Sequence, residues 1–519
     1  MSRKILDLES IGPMRHEGHR GPVTRRDFLA QGLATGTAAV LSPTLFGLLG
    51  RSHDAYAQAV GCGVAPPGGD KIPFVCIDLA GGASVAGSNV LVGGQGGQED
   101  FLSVQGYEKL GLPEEMTPMQ SVLPVVNREL GLAFHEDSAF LAGIKNRATP
   151  TTLLNTNGAV LCARSLNDTS NNPHNPVYGI NKAGANGNLV SLVGMRNSES
   201  GGRSLAPEHM IDPAVRPTKI DRPSDVTGLV DTGKLASLLG PQGSNRVMNS
   251  ITEISDAQLA RLNEDTIVEG LISQSYTQSA QLIQTYGNPA CLDPLQDPSI
   301  VGDLSSIFSM GELTDNGQGA RYFAPTASVM KLVVEGHAGA GTLSFGGYDY
   351  HDSTRATGET RDFMAGQTMG AMLEFAAKMG RELMIYVFSD GSVASNGQID
   401  TSAEGRNKGI WKGDNSSTAS VFFLLYSPTA RPALRNASSQ QIGHFSSSGS
   451  AVSNATAISN APELLAEAIV LNYLALHHDE DEAVRQFPLV LPNQGLSTVE
   501  SDLKSLIAFQ QMPTTPPTP

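Results

Sequence analysis

The run Leu383-Met384-Ile385-Tyr386-Val387-Phe388 is hydrophobic at every position, and Ser389-Asp390-Gly391 follows at once. Six such residues in a row leave no face for water, so the segment predicts a strand covered on both sides, as in a parallel sheet packed between helices. Two other runs repeat the pattern. Ile72-Pro73-Phe74-Val75-Cys76-Ile77 leads to Asp78 and then to Gly81-Gly82, and Gly341-Thr342-Leu343-Ser344-Phe345 leads to Gly346-Gly347-Tyr348-Asp349-Tyr350-His351-Asp352. A further apolar strand is expected over residues 417–425, with Asp414 just before it, an amphipathic helix over 360–379 and a terminal helix over 462–476. Strands alternating with helices make the expected fold class α/β: a mostly parallel sheet with helices on both faces.

Between these landmarks the pattern is weaker. Apolar positions at helical spacing predict a helix over 119–129, and residues 134–144 read as a second strand. That strand would lead into Ala148-Thr149-Pro150-Thr151-Thr152, where hydroxyls at a strand-to-helix junction can expose a nucleophile or serve as helix caps. Residues 167–222 are rich in Asn, Gly, Ser and Pro and predict irregular loop, and a helix is expected over about 255–286. A helical and loop insertion over about 195–320 on one domain of residues 58–511 accounts for these segments, with a disordered Pro/Thr-rich tail at 512–519. Gly93-Gly94-Gln95-Gly96-Gly97 lacks the Lys-Ser/Thr ending of a phosphate loop. His135 and His337 read as structural, the acidic stretch 477–482 as a solvated turn, and no GxSxG elbow is present.

Residues 1–57 read as an address. Arg25-Arg26-Asp27-Phe28-Leu29 is a twin-arginine motif, followed by a run diluted with Gly, Thr and Pro and by Ala55-Tyr56-Ala57, a small-residue cleavage pattern. The expected partner of this leader is the twin-arginine export machinery, the expected location periplasmic or secreted, and no stable membrane span is expected. Removing the leader takes away seven Lys/Arg and five Asp/Glu and moves the formal charge from −16 to −18. So acidic a chain argues against nucleic acid or anionic lipid as a partner over a broad surface. Cys62, Cys76, Cys162 and Cys291 allow up to two disulfides after export, and the absence of a CxxC pair argues against a zinc site on sulfur.

Three predicted strands end in acids: Asp78, Asp349 with His351, and Asp390, with Asp414 a candidate further member. Residues i and i+2 of an extended segment point the same way, so Asp349 and His351 can converge on one ion. Grouped carboxylates repel one another, which makes a divalent cation their natural partner. Mixed carboxylate and imidazole ligands suit zinc or manganese; carboxylates alone suit magnesium or calcium.

The order of these motifs resembles the alkaline-phosphatase superfamily, and more closely its twin-arginine-exported branch, a family of unknown function. The leader at Arg25 to Leu29, the strand running into a Gly-Gly loop at Leu79 to Ser84, the Gly346-Gly347-Tyr348-Asp349-Tyr350-His351 motif and Ser389-Asp390 carry the resemblance. It implies one or two metal ions held by Asp78, Asp349, His351 and Asp390, with Asp414 as a further ligand. It also implies hydrolysis of a phosphate or sulfate ester, a small anionic substrate, by Thr149, Thr151 or a metal-bound water. Two departures accompany it. Asn415 stands where the branch has a histidine after its late aspartate, and Ala148 stands two residues before Pro150, where the superfamily has its nucleophile. These favour the alternative of a non-catalytic binding or assembly protein that keeps the fold and takes an unknown periplasmic ligand.

Overall fold

Phe74–Ala80 forms strand β1, and its alternate side chains enter two different cores. A computed structural model describes residues 71–165, 174–195, 206–230, 291–302 and 307–513 except 316, with a few positions between 246 and 253. The leader, the helix expected near 255–286, most of the expected insertion and residues 514–519 lie outside the described residues.

The strands in chain order are β1, β2 (Val126–Asn127), β3 (Phe134–His135), β4 (Thr156–Leu161), β5 (Val190–Gly194) and β6 (Thr218–Lys219). They continue with β7 (Ala338–Gly346), β8 (Leu383–Phe388), β9 (Val393–Asp400), β10 (Lys408–Asp414), β11 (Val421–Tyr426) and β12 (Gln441–Ile442). Eight of them make one sheet in the order β12-β4-β11-β8-β1-β7-β5-β6. β1 pairs in parallel with β7 and with β8, and β11 runs antiparallel to both its neighbours. The fold is therefore α/β around a large, mostly parallel sheet. Crevices beyond the carboxyl ends of central strands are where such sheets bind ligands.

Val75, Ile77 and Leu79 of β1 face the core that contains α2 (Ala139–Arg147), α5 (Gln318–Val334) and α6 (Ala356–Lys378). Phe74 and Cys76 face the core that contains α4 (Val177–Lys182) and α7 (Pro462–His477). Cys76 and Cys162 are free buried thiols and Cys291 is disulfide-bonded, so at most one of the two bridges allowed by the sequence forms. Among the described residues no helix is long and apolar enough to cross a membrane.

Three expectations differ, the first being the irregular loop over 167–222, where α4, β5 and β6 form and both strands join the main sheet. Residues 119–129 form turns that end in β2, with Val122 and Leu123 exposed, because Pro124 lacks an N–H and its ring obstructs the turn before it. The strand expected over 134–144 stops after β3. Ser138 then caps α2, its Oγ accepting from Leu141 N at 3.1 Å, so the apolar residues that follow lie on a helix.

The helix α5 lies so close to β7 that a Cβ at Gly341 would meet Val329 Cγ1 at 2.5 Å and Val333 Cγ2 at 3.0 Å. A Gly341→Ala variant should lose about 1–3 kcal/mol of stability by overpacking this contact, seen as a lower urea midpoint with an unchanged slope. A midpoint equal to the parent's would contradict so close an approach.

Candidate metal centre

Beyond β7 the chain alternates strictly. Tyr348 and Tyr350 are buried, while Asp349 and His351 between and after them keep 59% and 37% of their side chains exposed. The tyrosines fix the segment from below. Tyr348 N donates to Ala80 O at 3.1 Å and its hydroxyl to Arg361 O at 2.9 Å. The Tyr350 hydroxyl accepts from Ser84 N at 2.8 Å and donates to Asp362 Oδ1 at 3.1 Å, and its ring stacks on Trp411. With both rings turned inward, the extended backbone presents Asp349 and His351 on one outward face.

The third member arrives from a β-arm. Asp414 closes β10, pairs with Val393 of β9, and is held at the sheet edge where Asn415 N donates to Ser392 O at 2.8 Å. His351 Nδ1 lies 2.5 Å from Asp349 Oδ1 and 2.9 Å from Asp414 Oδ1. One ligand atom from each residue falls within 4.8 Å of the others. The buried Nδ1 makes no hydrogen bond of acceptable geometry despite these two oxygens. The three donors gather about a common point, and an imidazole with two carboxylates fits a divalent ion of the zinc or manganese kind. No protein-family model and no curated protein matches the chain.

The five expected ligands divide into two tiers. Asp349, His351 and Asp414 form the group just described; Asp78 and Asp390 do not join it. Asp78 is fully buried, and its Oδ2 accepts from Ser344 Oγ at 2.8 Å. Asp390 Oδ1 accepts from Gly81 N at 2.7 Å, and Ser389 Oγ donates to Leu79 O and accepts from Ala83 N. Gly81 has φ +132°, and a Cβ there would overlap the Asp349 backbone nitrogen. Asp390 thus shapes the turn on which Asp349 rests.

Thr149 and Thr151 are not at the centre. The junction expected there is instead two helices and a strand: α2, then α3 (Pro150–Leu154), then β4. Thr149 caps α3, its Oγ1 accepting from Thr152 N, and its own N–H donates to Glu374 Oε2 at 2.8 Å. The register places Thr156 beside Tyr426 and Tyr426 beside Leu383, at the start of β8. Asp390 follows the far end of that strand, on the order of 20 Å away at the rise of a β-strand. The threonines therefore occupy the amino edge of the sheet and the acids its carboxyl edge. Asn415 does not join the trio either, its Oδ1 accepting from Ser417 N and Ser417 Oγ.

Beneath the tyrosines lies a buried charge network. Glu359 accepts from Arg355 Nε at 2.7 Å and from Lys408 Nζ at 2.9 Å, and Arg355 stacks on Trp411. The i,i+4 spacing of Arg355 and Glu359 was a readable signal; Lys408 comes from a distant strand and gave none. Asp362, which supports Tyr350, is pushed up to about 7, by burial first and then by the charge of Glu359. Because the folded state holds this proton and the unfolded chain releases it near 3.8, stability from this group is complete below about 4 and is lost as the pH rises through 7. Asp362→Asn should flatten the fall in urea stability across that window by up to about 1.4 kcal/mol per pH unit. Parallel curves for variant and parent would contradict the burial of an ionisable Asp362.

Proposed function

We propose that this chain is an exported, metal-dependent hydrolase-like protein of the phosphatase and sulfatase kind, with an alkaline-phosphatase-like arrangement of its sheet. The observation that carries the reading is the convergence of Asp349, His351 and Asp414 within 4.8 Å at the carboxyl edge of the sheet. Three protein ligands leave coordination positions for water and substrate, as catalytic rather than structural sites do. A divalent ion bound there would supply Lewis acidity, polarising an ester oxygen and making water nucleophilic near neutral pH. The chain's own residues orient this centre: Tyr348 and Tyr350 fix the Asp349–His351 face, and Gly81 with Asp390 sets its height above the sheet. With Thr149 and Thr151 at the opposite edge, water is the nucleophile in this reading. The twin-arginine leader supports delivery to the periplasm.

Asn415 favours a second reading, a binding or assembly protein that retains the fold. Its amide caps a turn where the resembled branch has a further imidazole. Turnover separates the two. Protein stripped with a chelator and reloaded with zinc, manganese, magnesium or calcium should hydrolyse an aryl phosphate or aryl sulfate. Asp414→Asn should lose about 100-fold or more of that activity, at least the loss seen on disturbing a metal's supporting residues. Equal activity in the variant would contradict the hydrolase reading, and metal binding without any turnover would favour the binding protein.

A further inference from the structure

A second constellation lies on the same carboxyl edge and plays no part in the metal centre. Lys109 ends the short helix α1 (Val104–Lys109), and its Nζ donates to Ser450 Oγ at 2.6 Å and to Ser417 Oγ at 3.2 Å. The two hydroxyls are themselves 3.2 Å apart. Ser103, the cap of α1, ties the helix to the serine loop: its N–H and its Oγ both donate to Ser447 O, the latter at 2.7 Å. Arg164 enters from the carboxyl end of β4, where Arg164 N donates to Ser459 O and Ser165 N to Ser416 O. Its buried Nε meets no hydrogen-bond acceptor among the described residues.

Lys109 and Arg164 lie near enough to repel. The Lys109 ammonium is held below its ordinary value, by partial burial first and then by the Arg164 charge. Neither makes an ion pair with a carboxylate among the described residues. In a chain of formal charge −16, with 51 Asp and Glu available, two neighbouring cations, one held by serine hydroxyls and neither by an acid, suit an anion from outside. The guanidinium offers a planar fork of donors, the ammonium a point charge, and the serine hydroxyls donors whose direction adjusts by rotation.

We propose that Lys109, Arg164, Ser417 and Ser450 form a binding site for a tetrahedral oxyanion, a phosphate or sulfate group. The site goes beyond the metal-centre reading and does not depend on it, since none of the four residues belongs to that group of ligands. Ser417 follows Asp414 by three positions, so an ester held by its anionic group here lies beside the metal centre, whereas free phosphate would occupy the same donors alone.

Inorganic phosphate and, separately, phenyl phosphate titrated into chelator-treated full-length protein should raise the melting temperature saturably, at constant ionic strength set with chloride. The stronger of the two effects tells whether the free anion or the ester group is preferred. Arg164→Gln should weaken the binding at least tenfold, about 1.4 kcal/mol. It should leave the ligand-free melting temperature unchanged or higher, because a repulsion is removed; Lys109→Met should weaken binding likewise. Asp414→Asn should bind phosphate as the parent does. A parent that shows no saturable response would overturn the proposal. So would a response retained in the Lys109→Met, Arg164→Gln double variant, or one abolished by Asp414→Asn alone. Failure of the protein to bind metal would leave these outcomes unaffected and would count only against the metal-centre reading.

Discussion

The backbone contact between Gly81 and Asp349 is the constraint on which the carboxyl edge of this protein depends. Gly81 follows β1, Asp349 follows β7, and the two turns meet with no room for a side chain at Gly81. Tyr348 N to Ala80 O extends the pairing of the two strands by one more bond, and Asp390 from the third strand accepts from Gly81 N at 2.7 Å. Three parallel strands are thereby closed against one another just where their side chains stop being covered by helices. The acids that end those strands have different tasks because of this closure. Those turned inward satisfy backbone N–H and hydroxyl donors, as buried carboxylates must, and the one lifted onto the turn is left to meet His351 and Asp414.

The same closure explains why so much charge lies beneath an outward-facing centre. Tyr350 cannot be turned inward unless its hydroxyl is satisfied, and Asp362 and Ser84 do that. Asp362 in turn lies near Glu359, which two buried cations hold in its charged form against the effect of burial. Removing one partner from such a network costs more than the network contributes, because the remaining charges stay buried and unpaired. The Asp349–His351 face is thus rigid from below while the two side chains remain partly exposed above. Pre-positioned donors with an open side suit a centre that must admit a ligand.

Much of the sheet was legible because its central strands are covered on both faces. β1, β7, β8 and β11 read as continuous apolar runs for that reason, α6 as an amphipathic helix and α7 as a terminal one. Where one local signal outweighed periodicity the reading failed: Pro124 broke the helix expected over 119–129, and Ser138 converted an apolar run from strand to α2. At the centre, the i,i+2 alternation of Asp349 and His351 was visible in the sequence, and Asp414 was visible as an acid beside a strand. The tasks of Asp78 and Asp390 were not, since whether a strand-end acid faces a crevice or a neighbouring turn depends on a loop from another strand. Thr149 and Thr151 were misplaced for a similar reason. Thr149 caps α3 and Thr151 lies within it, which is local, but the edge of the sheet they occupy is set by the order β4-β11-β8, which no local pattern encodes. Lys109 and Arg164, brought together by a helix end and a strand end far apart in the chain, left no trace in the sequence at all.

We propose that the outward trio, and not the strand-end acids beneath it, would hold a divalent ion. It is tested most directly by anomalous scattering from crystals of the protein soaked in zinc or manganese. One peak is predicted, at about 2.0–2.2 Å from an imidazole nitrogen of His351 and from carboxylate oxygens of Asp349 and Asp414. A peak bounded by Asp78 and Asp390, or no peak at all at saturating metal, would contradict it.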